Sequence, residues 1–289
     1  MQTLGLYTAT ENELGAVQRA ADEVDADLVA RSESDLDDDP AVEQFVEELE
    51  DTTAAVLWLH GAEDSMPGYE RAVERLREAG VPLVVKATGD AFAYEDTSVP
   101  DDHRERVYEY LEKGGASNVA NCLRYLVSQY GDADPAYDDP VALPTEGVYH
   151  PDHPGASVEQ LRATFDPAKP TVAVWFYESH WTHENTRYVD AQVRAIEAQG
   201  ANALPIFCEP ATDAEGQWSA EQVTEEWLLD ESGDPRVDAV CSSFMFSLSM
   251  DERGRSADDE GQSAEAVFLD KLGVPVIQTV TTMRSRSRY

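Results

Sequence analysis

Short apolar runs without polar alternate positions limit this chain's fold more than any other feature. Ala54-Ala55-Val56-Leu57-Trp58-Leu59 and Val172-Ala173-Val174-Trp175-Phe176 are two of them. A strand with one wet face alternates apolar and polar residues. A continuous run belongs to a strand covered on both faces, as in a parallel sheet flanked by helices.

The runs recur in two blocks. In the first, Thr3-Leu4-Gly5-Leu6-Tyr7 leads to Thr10, a candidate cap for a helix that reaches about Val24 with Leu14, Val17 and Ala21 on one face. Asp27–Ala30 reads as a second strand. Pro40 opens a helix carrying Val42, Phe45, Val46 and Leu49. After Ala54–Leu59, a helix with Tyr69, Val73 and Leu76 stops at Gly80, and Val81–Val85 is the next strand. Residues 104–130 are helical throughout, apart from a break at Gly114-Gly115. Residues 131–170 are rich in Asp, Pro and Gly and read as a linker or a long wrapping segment. The second block runs from Thr171–Phe176 through a helix near 186–199 (Val189, Val193 and Ile196 inward) to strands at 203–207, 237–241 and 274–278. Helices are expected near 219–229 and 263–271, with a polar loop at 250–262. Strand–helix alternation argues for parallel sheets with right-handed crossovers. The expected fold class is α/β, with two Rossmann-like or flavodoxin-like units. The boundaries are a first α/β domain at 1–103, a helical segment at 104–130, a linker at 131–170 and a second α/β domain at 171–289.

No GxGxxG follows a strand and no GxxxxGK[ST] occurs, so the usual nucleotide cradles are not supported. Three cysteines, Cys122, Cys208 and Cys241, are too few and too scattered for a disulfide framework or a CxxC zinc site, and read as buried small hydrophobes. The densest polar cluster follows the Thr171–Phe176 run: Tyr177-Glu178-Ser179-His180-Trp181-Thr182-His183-Glu184-Asn185. Ligands of open α/β sheets bind at the carboxyl ends of strands. On a helix His180 and His183 could face one ion, with Glu178 and Glu184 as oxygen ligands or proton acceptors. The bland alternative is a solvated loop whose Thr182 or Glu184 caps the next helix. A second pair sits in Glu146-Gly147-Val148-Tyr149-His150-Pro151-Asp152-His153-Pro154, a rigid polar turn whose imidazoles are, on the bland reading, ordinary surface groups. His60 follows another strand.

These strings resemble one family. Tyr177-Glu178-Ser179-His180-Trp181 with Asn185-Thr186-Arg187-Tyr188-Val189-Asp190 is similar to the "YxSHW…NTxYVDALI" stretch of the cobaltochelatase large subunit, CobN, whose family includes the H subunit of magnesium chelatase. Glu146–Asp152 resembles its "EGIYHPD". Tyr110-Leu111, Gly114-Gly115 and Asn118 resemble its "YLxxGGxxN", and Trp58–Gly61 and Pro275–Gln278 match in register. The resemblance implies insertion of cobalt, as substrate, into a corrin-type tetrapyrrole. ATP and Mg would be handled by separate AAA+ ATPase subunits, so no cofactor is expected on this chain. Family members are much longer, so the chain resembles the N-terminal part, inactive alone. A stand-alone tetrapyrrole- or cobalt-binding module and a magnesium chelatase H-like subunit are the alternatives, and fold class by itself also permits an unrelated small-molecule enzyme. His150, Asp152, His180 and Asn185 are the candidate substrate contacts. Packing is the plainer role for Asn185 and Asp190. The family has a small residue or Gly where His183-Glu184 stands, so the His-x-x-His pair is not a family motif.

The charge narrows partners further. Fifty-eight Asp and Glu face 21 Lys and Arg, a formal charge of −37. Such a surface repels phosphate backbones and anionic lipid headgroups, which excludes nucleic-acid and membrane-surface partners. No apolar run approaches the roughly 20 residues of a membrane span, and no signal peptide is visible, so a cytoplasmic location is expected. Carboxylates are spread along the whole chain while only four residues are Lys. That pattern fits a halophile's cytoplasm, where the Debye length falls to about 3 Å and self-repulsion costs little. The thermal midpoint is therefore expected to rise between millimolar and molar KCl, and equal stability at both ends would contradict the reading.

Overall fold

The computed structural model describes residues 2–10, 12–87, 92–209, 220–244 and 272–280. The chain divides into two compact units, Met1–Leu143 with Thr182–Glu184, and Pro144–Trp181 with Asn185–Tyr289.

The first unit runs β1 (Thr3–Thr8), α1 (Leu14–Glu23), β2 (Asp27–Ser32), α2 (Asp39–Glu50), β3 (Ala54–Trp58), α3 (Tyr69–Ala79), β4 (Leu83–Lys86), α4 (Phe92–Asp96), α5 (Asp101–Lys113) and α6 (Ala116–Tyr130). Its four strands are all parallel, in the order β2-β1-β3-β4. Two-residue periodicity sends side chains to both faces. Leu4, Leu6, Ala54, Val56 and Val84 pack on one face with Val17 and Ala20 of α1. Tyr7, Ala55, Leu57, Leu83 and Val85 pack on the other with Phe45, Leu49, Val73 and Leu76 of α2 and α3. These strands are thus buried on both faces, which is why the sequence shows runs rather than alternation.

The first of those faces corrects the expected boundary at 103. Val107, Tyr110 and Leu111 of α5 and Val119, Leu123 and Leu126 of α6 belong to the core that covers Leu4, Leu6 and Val56. The helical segment 104–130 is therefore the outer layer of the first sheet, because without it that face would meet water. Gly114 and Gly115 both take positive φ, 61° and 81°, at the expected break between the two helices. The expected Thr10 cap is not made. The N-cap is Glu13, and the Thr10 hydroxyl donates to the Glu13 carboxylate.

The second unit carries β5 (Glu146–Val148), α7 (Val158–Arg162), β6 (Thr171–Tyr177), α8 (Glu178–Thr182), α9 (Arg187–Ala198), β7 (Asn202–Cys208), α10 (Ala220–Val223) running into a π-helical turn at Thr224–Leu228, β8 (Ala239–Ser242) and β9 (Val276–Gln278). The sheet order is β5-β7-β6-β8-β9. Apart from β5 all pairings are parallel, in the 2-1-3-4 order of the first unit. Trp175, Leu204 and Ile206 pack on one face with Val158 and Leu161 of α7 and Val223 of α10. Val174, Phe176 and Phe207 pack on the other with Val189 and Val193 of α9.

The expected linker 131–170 is corrected as well. It contributes an edge strand, β5, antiparallel to β7, and a helix, α7, that covers one sheet face. Three-residue strands and five-residue helices are too short to leave a period in a sequence. The loop expected at 250–262, the helix expected near 263–271 and residue 219 of the 219–229 helix lie outside the described residues.

Gly5 shows how tightly the first sheet is covered. A Cβ there would lie 2.4 Å from Leu49 Cδ2, and Leu49 is fully buried with no room to swing away. Gly5→Val should destabilise the chain by about 1–3 kcal/mol through overpacking. Urea unfolding should show a lower midpoint at an unchanged slope, and an unchanged midpoint would contradict the packing argument.

Candidate functional site

In the second unit β7 lies on one side of β6 and β8 lies on the other. Crossovers therefore diverge at β6, and the carboxyl ends of β6 and β8 border the crevice where open α/β sheets hold ligands. The expected polar cluster sits here. β6 ends at Tyr177, and α8 begins at once with Glu178, Ser179 and His180. The His180 ring lies edge-on to Tyr188 at 5.2 Å and to Tyr177 at 6.4 Å. The Asn185 amide donates to the His180 carbonyl at 2.7 Å, closing the turn from α8 into α9. Past β8, Ser243 donates its amide to Trp175 O at 2.8 Å, and its hydroxyl is 2.9 Å from that of Thr279, just past β9. Ser243 and Thr279 had no signal in the sequence, because strands from distant segments bring them to this edge.

His150 and Asp152 do not join that cluster. β5 runs antiparallel to β7, so the turn after it reaches the amino end of β7. There His150, His153, Asp166, Lys169, Glu197 and Asn202 line a cleft of about 270 Å³. His150 is buried. Its Nδ1 accepts the Asp152 amide at 3.2 Å, and its Nε2 lies 3.3 Å from Glu197 Oε1. Asp152 receives both Arg194 amino groups at 2.5 and 2.6 Å. The four candidates thus fall at opposite edges of one sheet, two by two.

Much of the motif chemistry is bracing. The Tyr149 hydroxyl donates to Asp190 Oδ1 at 2.7 Å and accepts from Thr186 Oγ1 at 3.1 Å, tying the end of β5 to α9. A Cβ on Gly147 would lie 2.6 Å from the Phe207 ring. Asn118 donates to Gly114 O and Val141 O and accepts the Val141 amide, clamping the chain after α6. His183 belongs to the first unit, with its ring 6.0 Å from Trp58, whereas His180 belongs to the second. α8 ends at Thr182, so His180 lies within that helix and His183 lies past its end. Among the described residues no group of three or more His, Cys, Asp or Glu is arranged to hold a metal. Glu184 has φ of 60°, the only positive value among described non-glycine residues, and its carboxylate pairs with Arg19. A left-handed backbone of this kind favours glycine, and a Glu holds it here. Burial pushes the Cys122 and Cys208 thiols up to about 12, which leaves them inert.

Comparison with known proteins agrees with these motifs. The family model described as CobN/Magnesium Chelatase matches residues 108–289. The aerobic cobaltochelatase subunit CobN of Pseudomonas aeruginosa is 34% identical over 180 residues, which cover 59% of this chain and 14% of that protein. The H subunit of the Rhodobacter capsulatus magnesium chelatase is 28% identical over 175 residues, 58% of this chain and 13% of that protein. The catalytic subunit of cobaltochelatase from Mycobacterium tuberculosis superposes over 99% of this chain and 22% of its own, with a TM-score of 0.65 at 21% identity, a likeness of fold. The matched region is thus about a seventh of the length of its curated relatives. No helix among the described residues is long and apolar enough to cross a membrane.

Burial disfavours the charged form of both His150 and His180, so each has a pKa below the ordinary 6.5. For His150 the geometry agrees, since an Nδ1 that accepts an amide carries no proton. The unfolded chain therefore takes up protons first as pH falls. The stability these groups contribute is complete above about 6.5 and is lost as pH drops through the folded values. In an NMR titration both imidazoles should have midpoints below 6.5, with assignments made by loss of each signal in His150→Asn and His180→Asn. A midpoint at or above 6.5 would contradict the burial argument.

Proposed function

Because this chain belongs to the CobN/magnesium chelatase family, we propose that it is the N-terminal part of a cobaltochelatase large subunit. On this reading it takes part in ATP-dependent insertion of cobalt into a corrin-type tetrapyrrole during cobalamin biosynthesis, in a salt-adapted cytoplasm. The observation that carries the reading is the joint match to a family model over residues 108–289 and to a cobaltochelatase fold over 99% of the chain. The preference for cobalt over magnesium takes its support from the 34% identity to the Pseudomonas aeruginosa subunit, while the Sinorhizobium cobaltochelatase subunit, at 25%, falls within the 24–28% range of the magnesium-chelatase subunits.

The carboxyl edge of the second sheet supplies the substrate-facing groups in this proposal. His180 and Asn185 lie at the strand-order switch, and a neutral imidazole there serves a macrocycle better than a solvated cation would. His150 and Asp152 brace the opposite edge, holding β5 to α9. ATP hydrolysis falls to separate AAA+ subunits, in keeping with a sequence that has no phosphate loop. The relatives' greater length supports inactivity of this chain alone.

Reconstitution tests the proposal. Cobalt insertion into a corrin precursor, followed by macrocycle absorbance with ATP and AAA+ subunits, should be absent with this chain alone. It should appear when the remainder of the large subunit is added, and His180→Ala should reduce it. Turnover by the isolated chain, or full activity of the remainder without it, would overturn the reading.

A further inference from the structure

The two sheets end differently at their fourth parallel strand. In a parallel ladder alternate residues turn their backbone groups toward one neighbour, and the residues between them turn theirs away. In the first unit the Ala55 and Leu59 amides donate to Pro82 O and Lys86 O, so the backbone groups of Leu83 and Val85 face outward. All four are met. The Leu83 amide donates to Ser98 Oγ at 2.9 Å, and its carbonyl accepts the Ser98 amide at 2.9 Å. The Val85 amide donates to Thr97 Oγ1 at 3.0 Å, and its carbonyl accepts from the Tyr108 hydroxyl. Leu83 and Val85 are both buried.

The edge of the second sheet has no such cover. The Val240 amide donates to Pro275 O and the Thr279 amide donates to Ser242 O, which turns the backbone groups of Val276 and Gln278 outward. Among the described residues no partner reaches those four groups. Val276, Ile277 and Val280 are 36%, 54% and 58% exposed, three of the five large hydrophobic side chains left exposed among the described residues. Edge strands are ordinarily blunted by charge, yet no charged residue occurs from Leu272 to Met283. An apolar edge with open N–H and C=O groups is a template for one more strand.

We propose that β9 is an interior strand of the assembled large subunit, with a strand from the remainder of that subunit paired along it. The inference rests on the reading of this chain as the N-terminal part of a longer subunit, and it names where the rest attaches. The matched region is about a seventh of the length of its curated relatives, so ample chain exists to supply the strand. The position is also the next one in the series. β7-β6-β8-β9 is a 2-1-3-4 order, and the flavodoxin-like order sets a fifth strand beside the fourth. The added strand is uncharged and rich in β-branched or aromatic residues, because its side chains lie against Val276 and Ile277. A second copy of this chain would bring another −37 to the edge, whereas a strand of the same polypeptide is held near it.

The test is amide hydrogen exchange, followed by NMR, on the 289-residue chain in molar KCl, alone and with the separately expressed remainder of the large subunit. Alone, the Ile277 and Thr279 amides should be protected and those of Val276 and Gln278 should exchange fast. With the remainder, Val276 and Gln278 should slow by about tenfold or more. Val276→Pro removes an outward N–H, and Ile277→Lys puts a charge on the edge. Each should weaken binding of the remainder about tenfold by calorimetry, the equivalent of one hydrogen bond. Val141→Lys, at an exposed apolar residue of the first unit, should leave binding unchanged. Circular dichroism checks that the variants fold, and if one β9 variant does not, the other carries the result. Binding that leaves both amides fast, or that is unaltered in the folded β9 variants, would overturn the β9 inference and leave the N-terminal reading standing. Concentration-dependent slowing of the same amides in the chain alone, with dimers in sedimentation, would assign the edge to a second copy and overturn it likewise. No binding at all would overturn the reading and the inference together.

Discussion

A parallel sheet must be covered on both faces, and that requirement organises both units. Its strands carry apolar side chains up and down, so each needs two helical layers. In the first unit α2 and α3 cover one face, and α1, α5 and α6 the other. In the second, α9 covers one face, while α7 and α10 cover the other. Segments that look like connectors in the sequence are conscripted by this need. Residues 104–130 become a sheet's outer layer, and residues 146–162 supply an edge strand and a covering helix.

The same requirement explains the glycines and the bracing polar groups. Where a helix or a ring presses directly on a strand, only glycine leaves room, as at Gly5 against Leu49 and Gly147 against Phe207. Where a short strand or turn has too little apolar surface to hold itself, hydrogen bonds do the holding. Tyr149 to Asp190, Asp152 to Arg194 and Asn118 to the chain after α6 are of this kind. Exposed ion pairs such as Asp152 with Arg194 contribute little energy each. Their value is in setting where β5 ends and the turn begins.

The second sheet's carboxyl edge gathers polar groups from three strand ends, His180, Ser243 and Thr279 among them. His180, Ser243 and Thr279 carry no carboxylate, ammonium or guanidinium in a chain of −37. Carboxylates on the outer surface govern solubility and salt response through the long-range field. Short-range contacts such as those of Ser243 and Gln192 with Thr279 are screened far less by salt.

The sequence alone determined the α/β class, most strand and helix positions, and the family, because burial on both faces and the spacing of Tyr149, His180, Asn185 and Asp190 are local patterns. It also placed His180 at a strand end. What only the tertiary structure decided was which patterns meet. Short elements such as β5 and α7 leave no period, so their place in the second sheet came from pairing and packing. The antiparallel direction of β5 carries His150 and Asp152 away from His180 and Asn185, although all four lie in neighbouring motifs. Residues 243 and 279 come to the same end of the sheet as His180 through strand order, a long-range property that adjacent residues do not encode. The sequence supplied the side chains, and the order of strands in the sheet decided which of them share an edge.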